Sequence, residues 1–288
     1  MKILVTGTSG QLGYDVKKEL EKNNHEVISP NRNELDISNQ NKVNEYIHLF
    51  NPDAVIHCAA WTNVDLAEDE KEKCRAVNVN GTEYIVEACK KLDIPMMFIS
   101  TDYVFNGTGD SPWKTNDVPS PINVYGQSKL DGENIVKKHK KHFILRISWV
   151  FGINGKNFIK TMINLSKTNK TIRVVDDQYG SPTYTVDLSV LIHKIIQSGK
   201  YGTYHAHNEG YCSWYELAKK IFELIESNVT VTPISSENYV TKAKRPKNSK
   251  MCTKSLEDSG FEKLPEWTDA VERYIHTLKT ETGEYNVS

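Results

Sequence analysis

The stretch KILVTGTSGQLG, residues 2–13, constrains this chain more than any other. An aliphatic run ends in glycines at positions 7, 10 and 13, and a helix-compatible segment follows at once. Near-continuous apolar runs are the mark of strands buried on both faces. Glycines at a strand-to-helix turn allow a tight bend and bring backbone N–H groups close to a pyrophosphate. The positive end of the following helix then faces the anion. A plain turn would also use glycine, but placement directly between a buried strand and a helix favours a dinucleotide loop. Gly7, Gly10 and Gly13 are therefore the first candidate cofactor contacts.

The same alternation continues downstream. Strands are expected over 2–7, 26–30, 54–60, 96–101, 143–151 and 172–177, and helices over 11–23, 40–49, 71–92, 126–141 and 156–168. Later helices are expected over 185–198, 213–226 and 266–280. A repeated strand–helix order with short connections predicts an α/β chain with a Rossmann-type doubly wound parallel sheet. Beyond about 177 the pattern loosens into DQYGSPTYT and TPISSENYVTKAKRPKNSK. The organisation read from this is an NAD(P)-binding domain over 1–177, to which 185–200 and part of the C-terminus return. A smaller substrate-binding lobe occupies mainly 178–288, at the carboxyl edge where open α/β sheets bind ligands.

Bulk properties narrow the partners. With 36 basic and 37 acidic residues the net charge is −1, so no global field attracts nucleic acid or an anionic membrane. The five cysteines are scattered without a CxxC pair, which reads as reduced thiols in a cytoplasmic protein. No segment approaches the ~20 apolar residues of a membrane span, and MKILVTG is too short for a signal-peptide core.

Two further stretches carry chemistry. ISTDYVF ends the fourth strand and brings Thr101 to the sheet edge; NVYGQSKLDGE follows, with Tyr125 and Lys129 four apart on one helix face. Such a pair is usually a solvated face, but a dinucleotide loop upstream and a hydroxyl at the preceding strand end change its meaning. Ketone reduction needs a hydride on carbon and a proton on the developing alkoxide. Tyrosine, with an ordinary pKa of about 10, exchanges protons poorly at neutral pH. A neighbouring ammonium would favour the phenolate and lower that value, and can also bind the nicotinamide ribose. The expected roles are Tyr125 as acid, Lys129 as its tuner and Thr101 as the group orienting the carbonyl. After the second strand, Arg32 can pair with a 2′-phosphate. This tilts the cofactor toward NADPH, with NADH as the alternative.

The glycine spacing resembles that of extended short-chain dehydrogenases/reductases. HCAAWTNVDLAE, STDYVFNGTG, NVYGQSKLDGE, RISWVFG, NFIKTM, DDQYGSPT and RPKNSK, in this order along nearly the whole chain, resemble the dTDP-4-dehydrorhamnose reductase family. Related 4,6-dehydratases carry Thr-Asp-Glu where this chain has Thr101-Asp102-Tyr103; the missing glutamate argues for reduction. The resemblance implies NAD(P)H-dependent reduction of the C4 ketone of dTDP-4-dehydro-L-rhamnose to dTDP-L-rhamnose, a sugar donor for cell-surface polysaccharide. A reductase or epimerase of another nucleotide sugar, or a non-catalytic regulatory homologue, is the alternative.

Residue by residue, the resemblance places Gly10, Gln11, Leu12, Asp36, Ile37, Ala60, Trp61 and Thr62 on the cofactor. It turns Val64, Thr101, Asp102, Tyr103 and Trp149 toward the sugar nucleotide, Trp149 as a flat surface for the deoxysugar. In RPKNSK, Arg245, Asn248 and Lys250 form a charged fork suited to a diphosphate, a solvated basic loop being the plainer reading. Some family members use Mg2+ at a dimer contact. No clustered carboxylates here require it, so no metal ligands are named, and monomer and homodimer both stand.

Overall fold

The computed structural model describes residues 1–282; the end of the expected second lobe, 283–288, lies outside the described residues. In chain order the first strands are β1 (Lys2–Thr6), β2 (Glu26–Ile28), β3 (Ala54–His57), β4 (Met96–Thr101) and β5 (His142–Ile147). They are followed by β6 (Val150–Phe151), β7 (Thr171–Val175), β8 (Tyr179–Gly180), β9 (Thr183–Tyr184) and β10 (Gly202–His205). The main sheet has six parallel strands in the order β10-β5-β4-β3-β1-β2. The order reverses beside β1, so the connections leaving β1 and β3 part to opposite faces and open a crevice at the carboxyl edge. The register aligns that edge, pairing Thr6 with His57 and Thr101 with Ile147.

Alternation along the strands separates two layers of core. Ile3, Val5, Ile56, Met97 and Leu145 meet α1 (Gln11–Lys22) and α8 (Thr185–Ile196) through residues such as Val16, Leu20, Leu188 and Ile192. Leu4, Val55, Met96, Phe98 and Ile144 face the other way, onto α2 (Gln40–Phe50), α5 (Gly81–Leu92) and α6 (Val124–Val136). Neighbours in a strand point to opposite faces, so one apolar run serves both layers. Each fully buried side chain of this kind stabilises the fold by about 1.5–3 kcal/mol.

A second core joins α7 (Phe158–Ser166), α9 (Trp214–Leu224) and the helix Trp267–Thr277 around Ile163, Leu217, Ile221, Val271 and Tyr274. Here several expectations need correction. The strand expected over 172–177 exists as β7, but it pairs in parallel with Thr230–Ile234, away from the main sheet. The sixth strand of that sheet is β10, whose four residues GTYH carry too little apolar pattern to announce themselves.

The single strand expected over 143–151 is two. Trp149 takes a left-handed backbone (φ 47°) that turns the chain out of β5 and into β6, which pairs with β9. The helix expected over 71–92 is α4 (Lys71–Arg75) and α5 joined by a π turn at Ala76–Asn80, preceded by a short α3 (Val64–Asp69). Helix α6 ends at Val136 rather than 141. Among the described residues no helix is long and apolar enough to cross a membrane, and the five cysteines are free thiols.

Candidate active site

A cleft of about 860 Å³ opens where the ends of β1, β3, β4 and β5 converge. Its floor begins at the glycine loop. Gly7 has φ +75°, and a Cβ there would lie 2.6 Å from the Ala59 nitrogen; one on Gly13 would lie 2.3 Å from the Gly7 carbonyl oxygen. Both positions therefore need glycine, and the loop stays low enough for a ligand to reach the backbone. No side chain caps the N-terminus of α1. Its N–H groups are left to the cleft, as anion binding requires.

Gln11 and Leu12 line the cleft as expected. The Gln11 side chain itself is spent elsewhere: its Oε1 accepts from Gly152 N and Asn157 Nδ2, both at 3.1 Å. Arg32, Asp36 and Ile37 stand at one end of the cleft, Arg32 exposed. Ser38 donates to Asp36 through backbone and hydroxyl, and that hydroxyl chiefly holds the carboxyl below its usual range.

Ala60, Trp61 and Thr62 form the opposite wall with Val64 beside them. What fixes this wall is Asn78, which sequence reasoning missed. Its Oδ1 accepts from Trp61 N at 2.8 Å, and its Nδ2 donates to the Trp61 carbonyl at 3.1 Å and to Ser128 Oγ at 2.9 Å. Asn78 sits in the π turn, a bulge that re-aims one side chain without ending the helix. An uninterrupted helical pattern gives no signal of it.

The reacting end lies at β4 and α6. Asn123 caps α6, accepting from Gly126 N at 2.7 Å. Gly126 lets the helix seat directly on the Asp102–Val104 turn, because a Cβ there would fall 2.2 Å from the Tyr103 carbonyl oxygen. That close approach brings the Tyr125 phenol beside the Thr101 hydroxyl, the neighbour that most favours its charged form. Thr101 Oγ1 also donates to Asp102 Oδ1 at 2.9 Å, and Tyr103 packs edge-on against Tyr125 at 5.7 Å. Lys129, one turn on, is 2% exposed, with its Nζ 3.9 Å from the centre of the Phe98 ring.

Burial dominates the electrostatics. It pushes the Tyr125 phenol above its ordinary value, and the neighbour that draws it back is Thr101. Lys129, expected to perform this lowering, is not among the neighbours that act on the phenol. Burial brings Lys129 itself down to about 7, with Glu133 the largest opposing influence, so its charge is only partly present at neutral pH. Burial raises Asp102 to about 6, against the opposing influence of Ser249 and Thr101 beside it.

The segment RPKNSK is only partly at the cleft. Arg245 lines it, donating to Tyr103 Oη at 3.4 Å and forming an ion pair with Asp65 at 2.7 Å. Asn248 and Lys250 are not brought there. Asn248 is buried and ties two loops together, its Nδ2 donating to the Ser111 carbonyl. Lys250 lies 5.9 Å over the Tyr179 ring. Ser249, between them, is buried beside Asp102 and does not line the cleft. Trp149 lines the cleft together with Trp214, Lys156 and Ser9, which the sequence did not single out. Among the described residues, no group of three or more His, Cys, Asp or Glu is placed to hold a metal ion.

The family described as the RmlD substrate binding domain matches residues 1–280 of this chain. The spore coat polysaccharide biosynthesis protein SpsK of Bacillus subtilis (strain 168) is 37% identical over 275 residues, 95% of this chain and 96% of that one. A dTDP-4-dehydrorhamnose reductase of Aggregatibacter actinomycetemcomitans is 42% identical over 262 residues, covering 86% and 89%. The crystal structure of dTDP-4-dehydrorhamnose reductase from Bacillus anthracis str. Ames in complex with NADP superposes with a TM-score of 0.93. Its identity is 41%, over 96% of this chain and 98% of that one.

Proposed function

This chain belongs to the RmlD substrate binding domain family, and from that premise we infer that it is an NADPH-dependent dTDP-4-dehydrorhamnose reductase. It reduces the C4 ketone of dTDP-4-dehydro-L-rhamnose to dTDP-L-rhamnose. The observation that carries this reading is the meeting of Tyr125, Lys129 and Thr101 in a cleft whose other end is a glycine loop that tolerates no Cβ at Gly7 or Gly13.

The donor set fits a dinucleotide: uncapped N–H groups at α1 for the pyrophosphate, Asp36 for the adenosine, and Arg32 for a 2′-phosphate. NADPH, when bound, supplies the hydride. Thr101 and Tyr125 hold the ketone oxygen, and Tyr125 gives the proton that oxygen needs as negative charge develops. Lys129 lies one helical turn from the phenol, placed to bind the nicotinamide ribose. Its near-neutral pKa suits it to passing a proton back to Tyr125. Asp102 and Tyr103 face the sugar, and Arg245 serves the diphosphate by exchanging its Asp65 partner. The elements around the second core are the substrate-side lobe, since Trp149 and Trp214 reach the cleft from its edge.

The test is NADPH consumption with dTDP-4-dehydro-L-rhamnose, run beside Tyr125→Phe. Loss of the proton donor should cost about 10²–10⁴-fold in kcat with NADPH binding retained. Near-normal turnover of the variant removes Tyr125 from its role. Turnover of a GDP- or UDP-linked ketosugar instead moves the assignment to another nucleotide sugar, and no NADPH oxidation with any ketosugar points to a non-catalytic homologue.

A further inference from the structure

Four basic side chains line the cleft, and three of them have an evident place. Arg32 stands at the adenosine end, Lys129 is buried at the reacting end, and Arg245 is paired with Asp65. The fourth is Lys156. It is exposed, and among the described residues its ammonium takes part in no hydrogen bond or ion pair.

The loop that carries it, 152–157 between β6 and α7, is fastened directly to the glycine loop. Asn154 Nδ2 donates to the Ser9 carbonyl at 2.8 Å and to the Gly10 carbonyl at 3.3 Å. On the other side of Lys156, Asn157 Nδ2 donates to Gln11 Oε1 at 3.1 Å. Gly155 turns the chain at φ +84°, and a Cβ there would lie 3.4 Å from Gln11 Cγ. Lys160 fixes the loop from within, its Nζ donating to the Ile153 and Gly155 carbonyls at 2.5 and 3.1 Å. One lysine thus shapes the loop and the other is left free. Its backbone is held between two residues bonded to Ser9, Gly10 and Gln11, the turn leading into α1.

That turn is where the uncapped N–H groups of α1 can receive an anion. A helix end offers only about half an elementary charge, whereas each phosphate of a dinucleotide carries a full negative one. Among the described residues the acids lining the cleft are Asp36 and Asp102, at its adenosine and reacting ends. No carboxylate of the cleft therefore competes for Lys156. Lysine, a compact charge on a flexible four-carbon stem, is a common partner of backbone N–H groups at phosphates.

We propose that Lys156 is a cofactor-binding residue, its ammonium completing the charge that the glycine loop and α1 present to the pyrophosphate. The proposal rests on the dinucleotide reading of the cleft. It divides the cofactor between two exposed cations. Arg32 takes the 2′-phosphate, found only in NADPH, and Lys156 takes the pyrophosphate, shared by NADPH and NADH. Because Lys156 is exposed, salt screens its contribution.

The experiment titrates the parent, Lys156→Gln and Lys156→Arg with NADPH, NADH, ADP-ribose, adenosine 2′-monophosphate and dTDP, by calorimetry at low and high salt. It also records the thermal midpoint of each protein without ligand. Lys156→Gln is expected to weaken NADPH, NADH and ADP-ribose alike, by about tenfold at low salt and less at high salt. Adenosine 2′-monophosphate, which lacks the pyrophosphate, and dTDP should bind as they do to the parent. The ligand-free midpoint should not move, and Lys156→Arg should recover most of the affinity. Unchanged NADPH and NADH binding in Lys156→Gln overturns the proposal. So does weakening confined to dTDP, which places the lysine on the sugar nucleotide. Equal weakening of every ligand with a lowered midpoint marks a merely structural role and overturns it too. A parent that binds neither NADPH nor NADH sinks the dinucleotide reading instead, so the two failures are distinguishable.

Discussion

Asp102, proposed to face the sugar, also carries a stability cost. It is 3% exposed, and burial raises it to about 6. Between the usual carboxylate range near 4 and about pH 6, the folded chain therefore keeps a proton that the unfolded chain has released. By linkage, stability falls as pH rises through that window and stays lower above it. Asp102→Asn removes the titration. Urea denaturation of the protein without ligand should find the variant more stable than the parent at pH 7.5, by about 2–3 kcal/mol, with the gap narrowed to about 1 kcal/mol at pH 4.5. Parallel stability profiles for the two proteins would show that Asp102 is not the group responsible. Arg32 is the second residue-scale case. Exposed at the cleft end, it should matter for a 2′-phosphate and little else: Arg32→Ala should weaken NADPH about tenfold or more while leaving NADH affinity unchanged, by fluorescence titration.

Helix α6 is more than a carrier of Tyr125 and Lys129. The next position on the same stripe is Glu133, fully buried and gripped by Arg146 of β5 at 2.8 and 2.7 Å, with Ser100 Oγ of β4 at 2.7 Å. One side chain thus ties the helix to both strands whose ends build the reacting site. Removing one member of a buried pair leaves the other charge stranded, which costs about 3–5 kcal/mol. Glu133→Ala should lower the thermal midpoint accordingly, and the double change Glu133→Leu with Arg146→Met should recover most of the loss. A Glu133→Ala protein as stable as the parent would mean that Arg146 finds another partner or water. Sequence periodicity placed α1, α2 and most other helices closely, because their faces are read locally as apolar spacing. It overran where the same apolar pattern passed through a bend, as at Trp149 between β5 and β6.

At the scale of the whole molecule, the two cores meet along the cleft. Gln11 of α1 reaches Gly152 and Asn157, and the segment 242–245 crosses to α3 through Arg245–Asp65 and Lys242–Asp69. A ligand that fills such a cleft stabilises both sides together. NADPH at 100 times its dissociation constant should add about 2.7 kcal/mol to unfolding stability, seen as a rise in thermal midpoint that grows with concentration. A midpoint indifferent to NADPH would contradict the cofactor assignment.

Legible in the residues alone were the doubly wound α/β class, the glycine loop, and the grouping of Tyr125, Lys129 and Thr101. These rest on spacings of a few residues, where local stereochemistry dictates conformation. Long-range packing settled that β10 rather than β7 completes the sheet, that Arg245 but neither Asn248 nor Lys250 lines the cleft, and that Asn78 holds the wall at Trp61. Each of those outcomes depends on partners distant in the chain. Arg245 and Asp65 are separated by 180 positions, and no local pattern encodes where packing will bring such residues together.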